Sequence, residues 1–517
     1  MTHLTWLDGS IVGVYLLATM VAGILVRKYV GRVDHFLIAG REMNVYLGIA
    51  SLAATEFGIV TCMYTAQNGY DKGFAGATPG ILMAAAMLVV GLTGFCVKPL
   101  RDSGVMTIPE MFEKRFGPRI RWLAGVVIVL GGLLNMGVFL RTGGEFLIQV
   151  TGLSAQNGAT DPNTLSGFVG THYLEITMTA LLLMVTIYTI LGGMLSVLVT
   201  DFLQFVVMSI GLIAVTVLIL VNVGWDKLVA TVEMHHGAGG FNPFISKDMG
   251  WGYVVFNALL NLAVVLTWQT TIQRLLAAKD TRTGRKVYTG TSFFFVCRFL
   301  IPGIWGIAAL ATLTPAAYGG NSLYAMPAFL SQFIPAGLMG LVIAAMLAAD
   351  MSTDSSYMLT WASVIYNDIL APLRKKPWSE KKGLFWNRTI VALIGIFLLV
   401  YGLWYPLEGS LWDYLTITGT IYLASMSVLL VACCYWKRAN NWGAAAAIVF
   451  GALIPTLYLV LEKLPGTSEF VRGQIGPHYS GIAAFVVTTL AMVVGSLLKP
   501  LPPKTRTAQD APAAAAR

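Results

Sequence analysis

Ala349-Asp350-Met351-Ser352-Thr353-Asp354-Ser355-Ser356 places six oxygen-bearing side chains among eight residues, in the middle of an apolar run from 335 to 368. About 20 apolar residues cross a bilayer's hydrocarbon core as a helix, so this run is long enough to span. A carboxylate at that depth costs at least ~2.5–3.5 kcal/mol. So dense a set of oxygens is therefore expected to converge on something. The same ruler, moved along the chain in both directions, decides the fold class.

It finds thirteen apolar runs, at about 8–26, 44–65, 74–97, 122–150, 173–191, 194–223, 251–273, 289–313, 335–368, 387–406, 412–436, 442–462 and 479–498. The composition agrees: 56% of the 517 residues are hydrophobic and only 11% are charged, against ~25% charged in soluble domains. An all-α polytopic membrane protein is expected, a single domain over residues 1–500. The run at 8–26 lacks a basic leader and a small-residue cleavage site, so it reads as a retained helix rather than a signal peptide. Residues 501–517 are rich in Pro and Ala and read as a disordered cytoplasmic tail.

Lys and Arg set the orientation. Alternate loops and the C-terminal tail hold 27 of the 34, the opposite loops hold five, and Arg141 and Arg298 lie inside runs. The positive-inside rule then puts the N-terminus outside and the C-terminus in the cytoplasm of a plasma (inner) membrane protein. The net charge of +9 is accounted for by topology, and no nucleic-acid partner is expected. Cys62, Cys96, Cys297, Cys433 and Cys434 sit in or beside apolar runs with no zinc-like spacing, which argues against a disulfide framework.

The intramembrane ionisable residues are Glu56, Arg141, Glu145, Asp201, Arg298, Asp350 and Asp354. Arg141 and Glu145 are four apart and can neutralise each other on one helix face. In the run at 335–368, Ser352, Ser355 and Ser356 share a face. Hydroxyls and carbonyls without His or Cys suit a hard cation, and few hydroxyls with one carboxylate suit Na⁺ better than the multi-carboxylate cage of calcium. The alternative is that each hydroxyl bonds its own helix. Ala53-Ala54-Thr55-Glu56-Phe57-Gly58 combines small residues, a charge and a glycine. A helix break there would free carbonyls, the device that holds Na⁺ in transporters.

Three stretches resemble the sodium:solute symporter family, which includes sodium–glucose, proline, pantothenate, monocarboxylate and sialic acid transporters. Gly192-Gly193 through Thr200-Asp201 to Gln204 resembles the family's GG…TD…Q signature. Met351-Ser352-Thr353 with Ser355-Ser356 and Asn367-Asp368-Ile369 is similar to its sodium-site helix. Ile272-Gln273-Arg274-Leu275-Leu276-Ala277-Ala278-Lys279 matches its QR-x-L-x-AK turn. The resemblance implies a LeuT-type fold of two inverted five-helix repeats, about 44–223 and 251–436, flanked by 8–26, 442–462 and 479–498. It also implies a main Na⁺ site of the carbonyls of Ala54, Phe57 and Ala349 with the hydroxyls of Ser352 and Thr353. A second Na⁺ site, present in some members, would use Asp201, Ser352, Ser355 and Ser356. Toward the solute, Asn135 and Arg298 occupy the places of sugar-contacting residues in the family, Thr61 and Thr416 those of sugar-binding glutamines, and Glu56 that of an asparagine or aspartate. Val264 stands where an aromatic inner gate is found in sugar-transporting members.

The reading is thus sodium-coupled import of a small organic solute, an organic acid or sugar-like, by alternating access, with one or two Na⁺ as coupling ions and no organic cofactor. Arg298 favours an anionic group and leaves a neutral sugar open. Each positive charge moved supplies ~2.3 kcal/mol per 100 mV. Asp350 and Asp354 keep a proton-coupled symporter of the same fold as an alternative. An enzyme is not expected, because no nucleophile–base pair, zinc spacing or phosphate loop is present and all six His lie outside the runs. A channel would not need the broken-helix ligand set, and a sensor would need an output domain.

Overall fold

The computed structural model describes residues 5–26, 32–152, 172–374, 376, 378–407 and 409–499. The tail read as disordered lies outside the described residues. Within them the chain is built of helices, with one isolated bridge between Met43 and Ala278. Among the described residues, eleven helices are long and apolar enough to cross a membrane. The difference from thirteen lies in two places. Val45–Thr55 and Ile59–Lys72 are two halves of one interrupted helix, each too short to span alone, and a tight turn at Gly73–Ala77 leads on to Thr78–Thr93. Tyr173–Asn222 runs through 50 residues but reverses its backbone at Gly193, at φ 53° and ψ −148°, which separates the two expected runs.

The outer surface is as apolar as a lipid-facing surface must be: Val14, Leu17, Ile213, Val221 and Ile396 are exposed. Trp6, Trp251, Trp404 and Trp442, also exposed, stand at helix ends, where amphipathic indoles sit at a membrane interface. Packing decides what is inside. In Leu338–Val364 every residue from Val342 onward is buried, so this helix is the axis around which the others stand. Its oxygens are thereby removed from lipid and must be satisfied by protein.

Two helices are broken near their middles. The first stops at Thr55, passes Glu56 and Phe57, and resumes after Gly58, which is extended at ψ 172°. A Cβ on Gly58 would come within 2.6 Å of Thr353 Oγ1, so only glycine lets the break approach the axial helix this closely. The second break is at Trp268, extended at φ −65° and ψ 121°, between Gly250–Thr267 and Gln269–Ala277. Each break opens a series of five helices, 45–222 and 250–435. At the cytoplasm-facing loops expected from charge, Thr107 caps Ile108–Phe116 by accepting from Glu110 N, while Glu110 accepts from Met106 N at 2.7 Å, an arrangement close to a capping box.

Gly193 provides a test of the kink. Its positive φ suits glycine, and a Cβ would lie 2.6 Å from the Phe36 carbonyl oxygen. Gly193→Ala is expected to destabilise the protein by roughly 1–3 kcal/mol, read as a lowered thermal midpoint in detergent.

Candidate functional site

The interrupted helix leaves carbonyls that lipid cannot satisfy. Ala54 O accepts from Phe57 N at 3.2 Å, and Thr55 O accepts from Thr353 Oγ1 of the axial helix at 2.9 Å. Ala54 and Phe57 therefore lie on the break, with Thr353 packed against it and Ala349 one turn earlier on the same axial helix. The neighbouring hydroxyl, Ser352, donates to Asp201 Oδ1 at 2.6 Å. Ser355 donates to Ser352 O at 3.2 Å, within its own helix. With the Glu56 carboxylate held by Arg298 and Thr270, the break presents backbone and hydroxyl oxygens, a donor set suited to a hard monovalent cation.

Asp201 sits in a second cluster, and here the structure corrects a premise. Its carboxylate, which the sequence left without a partner, is paired with Arg274, Nη2 to Oδ2 at 3.1 Å, and both side chains are wholly buried. The same Nη2 donates to Thr55 Oγ1 and Ser356 Oγ, each at 2.6 Å, while Arg274 Nε donates to Ser51 Oγ at 3.1 Å. Ser51 also donates to Asp201. Arg274, counted among the loop cations, is instead carried into the interior by the helix that resumes after Trp268. The residues expected to form a second Na⁺ site are thus assembled, with a guanidinium already among them. Thr55 joins the two clusters, its carbonyl bonded to Thr353 and its hydroxyl in the Arg274 network.

Beside the break lies a cavity of about 80 Å³. Glu56, Thr61, Asn135, Arg298 and Thr416, from helices far apart in sequence, all line it, as does Thr353. Arg298 is not free. It pairs with Glu56, Nη1 to Oε2 at 3.3 Å, and donates to Tyr64 OH at 2.8 Å and Thr61 Oγ1 at 3.3 Å. Glu56 Oε1 also accepts from Thr270 at 2.7 Å. Asn135 donates to Leu415 O at 2.8 Å and Thr418 Oγ1 at 3.1 Å, which ties it to Leu411–Tyr435.

The remaining walls are aromatic, and the sequence reading did not find them. Trp268 donates to Tyr357 OH at 2.9 Å and stacks on Tyr422, with ring centres 5.9 Å apart. Trp412 packs on Tyr64 and Phe299. Val264 does line the cavity, and Trp268, one turn further along, supplies the aromatic surface that Val264 lacks. In a chain with 13 Trp, 20 Tyr and 25 Phe nothing marks these few. Ser51 and Thr55 carried a weak signal, two hydroxyls at i, i+4 beside the glycine break.

Removing one partner of a buried ion pair costs ~3–5 kcal/mol, because the other charge is stranded. Arg274→Gln is expected to lower the thermal midpoint strongly, and the double variant Asp201→Asn/Arg274→Gln to recover a large part of that loss. A double variant no more stable than Arg274→Gln alone would mean that the pair is not the main partner of either charge.

A family model described as the sodium:solute symporter family matches residues 36–160 and 165–451. The chain is similar to sodium/glucose cotransporter 1 of Oryctolagus cuniculus, 27% identical over 96% of this chain and 79% of that one. It is also similar to a sodium/mannose cotransporter of Bos taurus, 26% identical over 97% and 88%. In structure it resembles a Na⁺-coupled sialic acid symporter in a substrate-bound outward-open state, with a TM-score of 0.77, 20% identity, and 96% of this chain and 98% of that one covered. The two series of five helices, each opened by a broken helix, are the LeuT-type arrangement that this likeness supports. The chain belongs to the sodium:solute symporter family, and is a multi-pass, sodium-coupled symporter rather than an enzyme.

Proposed function

We propose that the solute is a small neutral polyhydroxylated molecule, a sugar or cyclic polyol, and that one Na⁺ drives its import. The observation that carries this is the Arg298–Glu56 pair at 3.3 Å. With its charge balanced inside the cavity, Arg298 acts as a hydrogen-bond donor, and an anionic solute would have to approach Glu56 as well. The wall chemistry agrees: Trp268, Tyr357 and Trp412 offer flat apolar faces, and Asn135, Asn261 and Thr416 offer donors and acceptors at the edges. Relatives named for glucose and mannose transport support the same reading.

Na⁺ in this proposal is held by the carbonyls of Ala54, Phe57 and Ala349 and the hydroxyls of Ser352 and Thr353. Binding there would take over the Thr353 hydroxyl now donated to Thr55 O and fasten the break to the axial helix, next to the solute cavity. That contiguity couples ion to solute. Asp201 and Ser356 serve the Arg274 network, because the guanidinium already neutralises Asp201 at 3.1 Å, and Ser355 bonds its own helix. This favours one Na⁺ over two. The Lys/Arg asymmetry, which survives the reassignment of Arg274, supports an N-terminus outside and a C-terminus in the cytoplasm of the plasma membrane.

Two experiments test this. In proteoliposomes with Na⁺ outside, a labelled neutral hexose or cyclic polyol should enter, and replacing Na⁺ by choline at fixed pH should abolish entry. Exclusive uptake of an acidic sugar or carboxylate would overturn the neutral-solute reading. Glu56→Gln, which leaves Arg298 unbalanced, should weaken neutral-solute uptake and admit an acidic analogue. Thr353→Ala should raise the Na⁺ concentration for half-maximal uptake about tenfold, the equivalent of ~1.4 kcal/mol, with a Hill coefficient near one in both proteins. An unchanged Na⁺ dependence would remove Thr353 from the ion site.

A further inference from the structure

A cavity of about 430 Å³ opens beyond the end of the axial helix, at the Lys/Arg-rich end of the bundle. That volume is within the ~300–1,000 Å³ of small-molecule sites. Its walls come from the segment entering Val33–Ile38, from the turns that follow the axial helix, and from the approach to Glu380–Trp404. None of its lining residues belongs to the cation site or the solute cavity. The sequence there is basic: Arg374-Lys375-Lys376-Pro377-Trp378-Ser379-Glu380-Lys381-Lys382 holds five cations in nine residues. A basic run at a membrane end is by itself a topology signal. What sets this one apart is how its members are held.

The guanidinium of Arg374 lies over the rings of Tyr366 and Trp378, 4.8 and 4.4 Å from their centres. Its Nη1 donates to Tyr366 OH at 3.4 Å. Stacking of this kind fixes the plane of the guanidinium and leaves most of its N–H donors unspent. The rings are themselves fixed. The Tyr366 hydroxyl packs on Gly383, where a Cβ would stand 2.6 Å away, and Trp378 stacks on Trp386 with ring centres 5.5 Å apart. Lys376, also on the wall, is exposed. Among the described residues neither Arg374 nor Lys376 has a carboxylate within 4.0 Å. The two acids on the wall are committed: Asp34 pairs with Arg32 at 3.2 Å, and Glu380 accepts from Val33 N at 2.8 Å.

A pre-positioned guanidinium with free donors, beside an ammonium that acts as a point charge, matches the several oxygens of a phosphate group. The apolar surroundings add a place for a hydrocarbon chain. Phe385 is 63% exposed and packs on Trp386, with ring centres 5.9 Å apart, which carries the aromatic cluster from the cavity out to the lipid-facing surface. Basic pockets between helices at a membrane end hold the headgroups of anionic lipids.

We propose that this cavity binds a phosphate-bearing anion, with Arg374 and Lys376 on the phosphate oxygens and, where the phosphate belongs to an anionic phospholipid, an acyl chain along Phe385. Its occupant fastens the end of the axial helix to Val33–Ile38 and Glu380–Trp404. The site stands apart from the Na⁺ ligands and does not depend on the identity of the solute.

Thermal unfolding of the full-length protein in detergent, without Na⁺ or solute, tests it with three probes: phosphatidylglycerol, phosphatidylcholine with the same chains, and inorganic phosphate. A ligand of the folded state raises the thermal midpoint, so phosphatidylglycerol should raise it and phosphatidylcholine should not. A shift reproduced by inorganic phosphate identifies a soluble anion as the occupant, and a shift given by phosphatidylglycerol alone identifies the lipid. In either case Arg374→Gln/Lys376→Gln should remove the shift, while Lys437→Gln/Arg438→Gln, which takes two cations from the same end of the bundle outside the cavity, should keep it. Should the first variant fail to fold, Lys376→Glu serves instead, since it changes an exposed side chain and puts a carboxylate where the anion binds. A shift as large in a folded cavity variant as in the unmodified protein, or no shift with either phosphatidylglycerol or phosphate, would overturn the proposal and leave the sodium-coupled reading intact.

Discussion

A helix broken inside a bilayer must have its free backbone groups satisfied by protein, and much of this structure follows from that requirement. The carbonyl of Thr55 is met by Thr353, which needs the axial helix at close quarters, which in turn needs glycine at position 58. An axial helix that supplies hydroxyls to a break cannot face lipid, and it is buried from Val342 to Val364. The other helices stand around it, with their apolar outer faces toward the membrane.

Charge is handled by the same economy. Each break has an arginine beside it: Arg298 faces Glu56 at the first, and Arg274, carried by the segment that resumes after the second, faces Asp201. Both pairs join helices more than 70 residues apart in sequence. Each is a cross-tie whose separation would strand a charge in a low-dielectric interior. Helices tied in this way have discrete arrangements rather than a continuum, as alternating access requires. Thr55, bonded to the axial helix through its carbonyl and to the Arg274 network through its hydroxyl, links the break to the second tie.

The neutral solute proposed for the cavity follows from the first pair. Arg298 read alone is an anion-binding residue. Arg298 read with Glu56 is a fixed donor in a cavity whose own charges cancel, and such a cavity suits hydroxyls. The single-ion proposal follows from the second pair by the same logic, since Asp201 is already balanced.

The amino-acid sequence by itself determined the class of the protein, its helices, the break at Glu56–Gly58 and the hydroxyl-rich axial helix. Hydrophobic run length and local composition are properties of neighbouring residues and need no partner to be read. It also marked Glu56 and Arg298 as charges at membrane depth, and Thr61, Asn135 and Thr416 only through likeness to a family, and the fold brings all five to one cavity. What tertiary structure alone decided is which charge neutralises which. Arg274 looked like a loop cation because its run of apolar residues ends at Gln273. Asp201 looked unpartnered because its partner is 73 residues away. The aromatic walls were equally silent, since Trp268 and Tyr357 differ from other aromatics only in what stands opposite them. Electrostatic balance and cavity shape are relations between helices, and no periodicity within one helix encodes them.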